Sequence, residues 1–369
     1  MFELKAESGG ARCGILHTKH GKVESPFYMP VGTKVAVKNM LPEELYAMNV
    51  NAIICNAFIL SLRPGIDIIK DAGGIHNYMK FNRCIFTDSG GFQVLSKSML
   101  VEVNDRAVRF KDPFSGVKHT LTPEKSIQIQ HDLGADVAMC LDDVPHYGRD
   151  YDYIAGSVKR THLWAERCIT AKKYTDDKQL LFGITQGGTF KDLREKSAKK
   201  MNELKIDGVA FGGLAIGESQ KETVQALKWQ LPLIDKNKPR YFMGLGSPDT
   251  MLHAIELGCD IFDSVYPTKN ARRGTLFTRE GPIKIGAGKY KRDFGPVEED
   301  CKCYTCRNFS KSYVGHLLFV KETLGMRLAT IHNLHFMQKL FEDIREAIKA
   351  NEFAQFKAEF LKNYRPKAL

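Results

Sequence analysis

Residues 259–264 read CDIFDS. Cys, Ile and Phe make an apolar run of strand length, yet the run ends in Asp263, and carboxylates are among the side chains least often buried unless paired. Seven further stretches have the same form, apolar and bounded by Gly, Pro or Asn: PFYMPVG (26–32), NAIICN (51–56), CIFTDSGG (84–91), DVAMCLD (136–142), LLFGITQGG (180–188), GVAFGG (208–213) and RYFMGLG (240–246). Several are apolar on both faces, as strands buried between a core and a layer of helices are. Helix-like segments lie between most of them, for example TPEKSIQIQHDLG (122–134), KDLREKSAKKMNEL (191–204) and SPDTMLHAIELG (247–258). Several open on Ser or Thr and close on Gly, matching helix-cap preferences. Strand and helix alternating eight times over roughly 240 residues predict an α/β fold of the (β/α)8 TIM-barrel type, with a doubly wound open sheet as the alternative.

Three segments depart from a plain barrel. Residues 1–25 precede the first strand and read as a β-hairpin cap. Residues 97–121 carry two alternating runs, LVEV and AVRF, around a turn, which predicts a β insertion after the third strand. After the eighth strand come a basic, Gly-rich stretch, the cluster CKCYTC (301–306) and an amphipathic helix from about Thr330. In that helix Leu334, Met337, Phe341, Ile344 and Ile348 keep helical spacing and predict a core-facing stripe. The expected organisation is a barrel over 1–295 with its N-terminal β cap, a metal-binding subdomain over 296–337, and a C-terminal helical segment over 338–369 packed on the barrel.

The 369 residues are 43% hydrophobic and 26% charged, an ordinary globular composition with enough length for a large core. No run of 18 or more apolar residues occurs, so no membrane span is expected. The opening MFELKAESGG lacks the pattern of a secretion signal, and the cytoplasm is the expected compartment. Cys13, Cys55, Cys84, Cys140, Cys168 and Cys259 are scattered, most inside apolar runs, and read as small core residues in a reducing environment. The net charge of +11, from 54 Lys and Arg against 43 Asp and Glu, suits a polyanionic partner such as RNA.

In a barrel, chemistry sits where the C-terminal strand ends feed the loops. Here those ends carry Asn56, Asp88-Ser89-Gly90-Gly91, Asp142-Asp143, Gln186-Gly187-Gly188, Gly212-Gly213, Met243-Gly244 and Asp263. One acid alone would read as a helix cap or an ion pair. Acids ending strands three, four and eight together make a site. The glycines let backbone approach a flat ligand, and Phe92 is placed to stack on one. No Lys ends a strand to form a Schiff base, and no His cluster there offers a catalytic metal site. A carboxylate pair remains, one acid to attack a sugar carbon and the other to move protons, as in a retaining glycosidase. A carbohydrate glycosidase would carry several stacking tryptophans, whereas Trp164 and Trp229 both fall in helical stretches.

Cys301, Cys303 and Cys306 are spaced C-x-C-x-x-C, three thiolates for a tetrahedral metal, most often Zn2+. His316, His332 and His335 are candidates for the fourth ligand, and His332 is favoured because the knuckle would tie down the start of the following helix. Three thiolates and an imidazole close such a site and make it structural.

Taken in order, PFYMPVGT, LRPG, TDSGGFQ, FGITQGG, GGLAIGE, YFMGLG, FDSVYPT and CKCYTC resemble the motifs of the tRNA-guanine transglycosylases (queuine tRNA-ribosyltransferases), bacterial type, over nearly the whole chain. The resemblance implies a modified (β/α)8 barrel with a C-terminal zinc subdomain, usually dimeric. Asp263 corresponds to the nucleophile that attacks the anomeric carbon of the wobble guanosine in tRNAs with GUN anticodons, those for Asp, Asn, His and Tyr. Asp88 corresponds to the proton acceptor and donor. Asp142 and Gln186, with backbone at Gly213 and Leu214, would bind the base; Ser89, Phe92 and Met243 would line its pocket, and Asn56 would support the acids. Cys301, Cys303, Cys306 and His332 match the zinc ligands. Lys269, Arg272 and Arg273, which follow the nucleophile, would contact phosphates near the anticodon. The target base must leave its stack, so a flipped nucleotide is expected. Family paralogues that have lost activity and only bind tRNA would lack the acid pair, which is present here.

Departures from the family pattern bear on the incoming base. Bacterial members read Asp-Glu-Cys where this chain has Asp142-Asp143-Val144, closer to the eukaryotic members that use queuine. Ile216, in GGLAIGE, stands where those members have Gly, and its bulk points to the smaller 7-aminomethyl-7-deazaguanine. Residues 57–59, Ala-Phe-Ile, replace the usual Thr-Tyr-His beside Asn56.

Overall fold

The computed structural model describes residues 2–91, 99–112, 114–175 and 178–365. The chain opens on three antiparallel strands, β1 (Phe2–Ser8), β2 (Ala11–Thr18) and β3 (Gly21–Ser25). The cap is thus one strand larger than a hairpin. GKVES has a single apolar residue, Val23, too little alternation for a sequence pattern to reveal a strand.

The parallel strands are β4 (Phe27–Pro30), β5 (Ala52–Asn56), β6 (Cys84–Asp88) and, after an insertion, five more. The insertion is the antiparallel sheet β7 (Leu100–Val103), β8 (Val108–Lys111) and β9 (Lys118–Leu121), in which the expected pair of strands gains a third. The barrel then resumes with β10 (Val137–Met139), β11 (Leu180–Thr185), β12 (Gly208–Phe211), β13 (Arg240–Phe242) and β14 (Ile261–Ser264). The eight neighbour one another in the order β4-β14-β13-β12-β11-β10-β6-β5, and a parallel bridge between Val31 and Ile54 joins the two outer strands. All eight runs read from the sequence are barrel strands, and the fold is a (β/α)8 barrel rather than an open sheet.

The period of two along each strand sorts the side chains. Phe27, Met29, Ala52, Ile54, Cys84, Phe86, Val137, Met139, Phe182, Ile184, Ala210, Tyr241 and Ile261 point inward and fill the barrel. Their neighbours, such as Tyr28, Ile53, Ile85, Leu181, Val209, Phe242 and Phe262, point outward into the core shared with the helices. Both faces are therefore apolar, which explains why the runs do not alternate in sequence.

Phe2, Leu16 and Val23 of the cap join the inner cluster and close the N-terminal end of the barrel. Arg12 of β2 reaches down to Asp260, with Nε and Nη2 donating to the two carboxylate oxygens at 2.9 and 3.0 Å, and both residues are buried. A second tie to the cap is buried Asp136, which accepts from His20 at 2.9 Å and His76 at 3.0 Å, whose rings stack. Removing one partner of a buried pair leaves the other charge uncompensated. Arg12→Met is therefore expected to cost about 3–5 kcal/mol of stability in urea titrations, and adding Asp260→Leu to recover most of it. Equal stability of the single variant and the wild type would show that the pair does not hold the cap.

Beyond the barrel lie the hairpin β15 (Thr275–Thr278) and β16 (Gly281–Lys284), two short helices, and the long helix Thr323–Lys349. That helix starts seven residues before the expected Thr330, because its first turns pack by close approach rather than by an apolar stripe. A Cβ on Gly325 would sit 2.7 Å from the Leu317 Cβ. Leu334, Met337, Phe341, Ile344 and Ile348 are all buried, as their spacing predicts. Among the described residues no helix is long and apolar enough to cross a membrane.

Candidate active site

The same period of two that fills the barrel builds the site. One step above the last apolar layer, the inward positions turn polar: Ile54 is followed by Asn56, Phe86 by Asp88, Ile184 by Gln186 and Ile261 by Asp263. Asp263 is therefore not a core acid. It is the first inward side chain past the plug, at the mouth that the loops surround.

A cleft of about 300 Å³ opens there. Asn56, Asp88, Asp142, Gly213, Leu214, Met243 and Asp263 line it, together with Val144, Ile216 and Tyr241. Asp263 is half-buried; its Oδ1 accepts from the Tyr241 hydroxyl at 2.5 Å and from the Gly244 N–H at 2.8 Å. Burial raises this carboxyl above the usual range, and the two donors offset only part of the rise. Across the mouth, Asn56 uses its Oδ1 to cap the turn at Ile59 N (2.8 Å) and its Nδ2 to reach Asp88 Oδ2 (3.3 Å). Asn56 thus holds Asp88 without help from the Ala-Phe-Ile side chains that follow it.

Asp142 is buried on the far wall and accepts from Gln186 Nε2 at 2.8 Å. Burial, reinforced by the nearby Asp88, pushes its carboxyl up to about 8. Gln186 lies behind the wall; Ser197 fixes its backbone N–H at 3.0 Å, and its buried Oε1 has no hydrogen-bond partner among the described residues. Two glycines permit this packing. A Cβ on Gly91 would stand 2.6 Å from Asp142 Oδ1, and one on Gly213, at φ +62°, would stand 2.3 Å from Gln186 Oε1. Neither backbone could come so close with a side chain in the way.

Of the remaining sequence candidates, those among the described residues do not line the cleft. Ser89 is buried, and Phe92 lies outside the described residues. Asp143 faces away, ion-paired to Arg160. Lys269 and Arg272 belong to the helix Tyr266–Arg272 that follows Asp263, and Arg273 comes next; Lys269 and Arg273 are exposed and Arg272 is half-buried. Sequence reasoning missed Tyr241. The signal was its inward register two residues before Met243, since a phenol inside a barrel needs an acceptor.

A second constellation lies near the C-terminus. Cys301, Cys303, Cys306 and His332 bring their ligand atoms within 4.8 Å of one another. His332 Nδ1 stands 3.8, 3.6 and 3.3 Å from the three sulfurs. Bond lengths near 2.3 Å to sulfur and 2.0–2.1 Å to nitrogen give tetrahedral edges of about 3.6 Å, so the set fits a four-coordinate metal. The other ring nitrogen of His332 donates to the Phe277 carbonyl at 2.7 Å, which aims Nδ1 at the thiols. His316 is exposed on another helix, and His335 approaches only Cys301, at 3.6 Å. The next residue, Asn333, donates to the Pro267 and Thr275 carbonyls, both at 3.0 Å, and so ties the metal helix to the segment just past Asp263.

Residues 7–366 match the family model described as queuine tRNA-ribosyltransferase. The chain is 48% identical over 363 residues to the queuine tRNA-ribosyltransferase of Bacillus pumilus, covering 98% of this chain and 95% of that one. It is 47% identical to that of Bacillus subtilis with the same coverage, and 48% identical to that of Lysinibacillus sphaericus over 96% of this chain and 93% of the relative. A match of this extent, on a barrel whose mouth gathers two half-buried acids over a base-sized cleft, places the chain in the queuine tRNA-ribosyltransferase family of transferases.

Proposed function

We propose that the protein exchanges the wobble guanine of tRNAs with GUN anticodons (Asp, Asn, His and Tyr) for 7-aminomethyl-7-deazaguanine, a step of queuosine biosynthesis. The observation that carries this reading is the placing of Asp263 and Asp88 on the inner face of one mouth, beside the Asp142–Gln186 pair.

Asp263 Oδ1 is held by Tyr241 and Gly244, so Oδ2 attacks the ribose C1′ of the flipped nucleotide. An ester bond forms, the C1′–N9 bond breaks, and guanine leaves with the bonding pair, taking a proton from Asp88. The deazaguanine then enters and gives its N9 proton to Asp88. Its nitrogen attacks C1′, and Asp263 departs as a carboxylate, received by the Tyr241 hydroxyl. Two inversions retain the sugar configuration. Asp142 accepts from the ring N–H and amino group of the base. The three cysteines and His332 would hold Zn2+, which in a closed four-ligand site supplies structure rather than chemistry. Lys269, Arg272 and Arg273 take anticodon phosphates. A cytoplasmic homodimer belongs to the same reading, and sedimentation at twice the monomer mass would support it.

Ile216 on the cleft wall supports the smaller base. Val144 on the same wall keeps queuine as the second reading. Labelled guanine incorporated into tRNA and chased with either base decides between them. The deazaguanine is expected to displace the label and queuine to leave it; no incorporation of label at all would overturn the proposed activity.

Asp142 gives a pH signature. A carboxyl raised to about 8 is mostly protonated at neutral pH, while the base needs it as an acceptor. Binding of free guanine should therefore tighten as pH rises from 6 to about 8, by up to tenfold per unit, then level off, with proton release measurable by calorimetry in buffers of different ionisation heat. In Asp142→Asn the profile should be flat. A wild-type affinity independent of pH would contradict the role of Asp142.

A further inference from the structure

Arg194, at the start of the helix Lys191–Glu203, is fully buried. Its Nε donates to the Gly188 carbonyl at 2.7 Å, Nη1 to Gly212 at 2.8 Å and Nη2 to Gly213 at 3.0 Å. Among the described residues no carboxylate hydrogen-bonds it, and Glu218 acts on it only through space. Burying a cation without an ion-pair partner is costly, and burial here depresses its pKa to about 9. An apolar side chain of the same length would fill the volume at less expense, so the charge has a use other than packing.

The use lies in what the three carbonyls belong to. Gly188 lies in the turn after β11, and Gly212 and Gly213 directly follow β12; Gly212 and Gly213 line the cleft. A trans peptide points its C=O and N–H in opposite directions. With the Gly212 and Gly213 carbonyls turned onto the guanidinium, the N–H groups of Gly213 and Leu214 face away from it, on the side where those residues wall the cleft. Among the described residues neither N–H donates to another backbone carbonyl. A cation on a peptide oxygen also polarises the N–H of the same peptide and strengthens it as a donor. The planar fork spans two successive carbonyls, which fixes Gly213 in its left-handed conformation at φ +62°.

We infer that Arg194 is a positioning residue that aims and polarises the Gly213 and Leu214 amides so that they read the 6-oxo group of a guanine-like base. The inference rests on the proposed function in taking the cleft as the base site, and it adds the group that sets specificity for a 6-oxo acceptor. Arg194 touches no substrate; it acts through the peptides.

The test compares free guanine with 6-thioguanine, which keeps the ring N–H and amino group but replaces the oxygen by sulfur, a weak acceptor. Affinities are measured by calorimetry for the wild type, Arg194→Met and Arg194→Lys, with thermal unfolding followed in parallel. Arg194→Met is expected to weaken guanine by about tenfold and 6-thioguanine by less than about threefold, the difference of one strengthened hydrogen bond. Arg194→Lys keeps the charge but cannot span three carbonyls, and should fall between. Equal weakening of both bases, no weakening, or loss of folding in both variants would overturn the inference. A wild-type protein that binds and discriminates the bases yet fails to exchange guanine in tRNA would instead overturn the proposed activity and leave the role of Arg194 standing.

Discussion

Asp263→Asn is expected to lower guanine exchange into tRNA by about ten-thousandfold, with no covalent adduct recovered after denaturation. The substitution is nearly isosteric, and the Tyr241 hydroxyl and Gly244 N–H can still donate to the amide oxygen, so the mouth keeps its shape. What it removes is the anionic oxygen that forms the ester. Free guanine should bind the variant within a few-fold of wild type, because Asp142 and Gln186 are untouched. Asp88→Asn should behave differently, slowing the reaction by about 10²–10⁴-fold, the usual worth of a positioned proton carrier. Near-normal exchange by Asp263→Asn, or an adduct that survives in it, would remove the nucleophile from the account.

The second large effect concerns stability. Cys303→Ser should abolish stoichiometric metal binding, measured by elemental analysis as one ion per chain in the wild type. It should also destabilise the C-terminal region by several kcal/mol, since the binding energy of a structural metal is folding energy. The damage should travel. His332 sits beside Asn333, whose three hydrogen bonds reach Pro267, Thr275 and the N–H of Phe277. Exchange should therefore fall in Cys303→Ser although Cys303 is remote from the cleft, while free-guanine binding falls less. A variant that loses the metal yet unfolds like the wild type would contradict a structural role.

How much of this was legible beforehand depended on the kind of signal. The barrel strands declared themselves because parallel strands buried on both faces read as unbroken apolar runs, and the Gly, Pro and Asn between them mark their ends. The polar mouth followed from the same pattern: Asp88 and Asp263 fall two residues past the inward Phe86 and Ile261. The metal set was legible as far as its cysteines. His332 was separated from His316 and His335 by resemblance and a packing argument, and only the tertiary fold brings its Nδ1 among the sulfurs. Short or weakly alternating strands were not legible. β3 and β9 have one strongly apolar residue apiece, and they exist because a neighbour pairs with them. Tyr241 and Arg194 escaped for a different reason. Each matters through a partner on another element of the barrel, Asp263 for the one and the Gly212 and Gly213 carbonyls for the other, and no local spacing encodes such a meeting. Gln186 was found by its position at a strand end, but its seat behind Asp142 rather than on the cleft wall needed the glycines around it to be placed in space.

The ester itself is the most direct test. An anticodon stem-loop is incubated with the protein and the deazaguanine, the mixture is quenched in acid, digested with pepsin and nuclease, and the modified peptide is sequenced by tandem mass spectrometry. A ribose-phosphate mass on Asp263 is the expected result. The same mass on Asp88 or on any other side chain, or active exchange with no modified peptide, would contradict it.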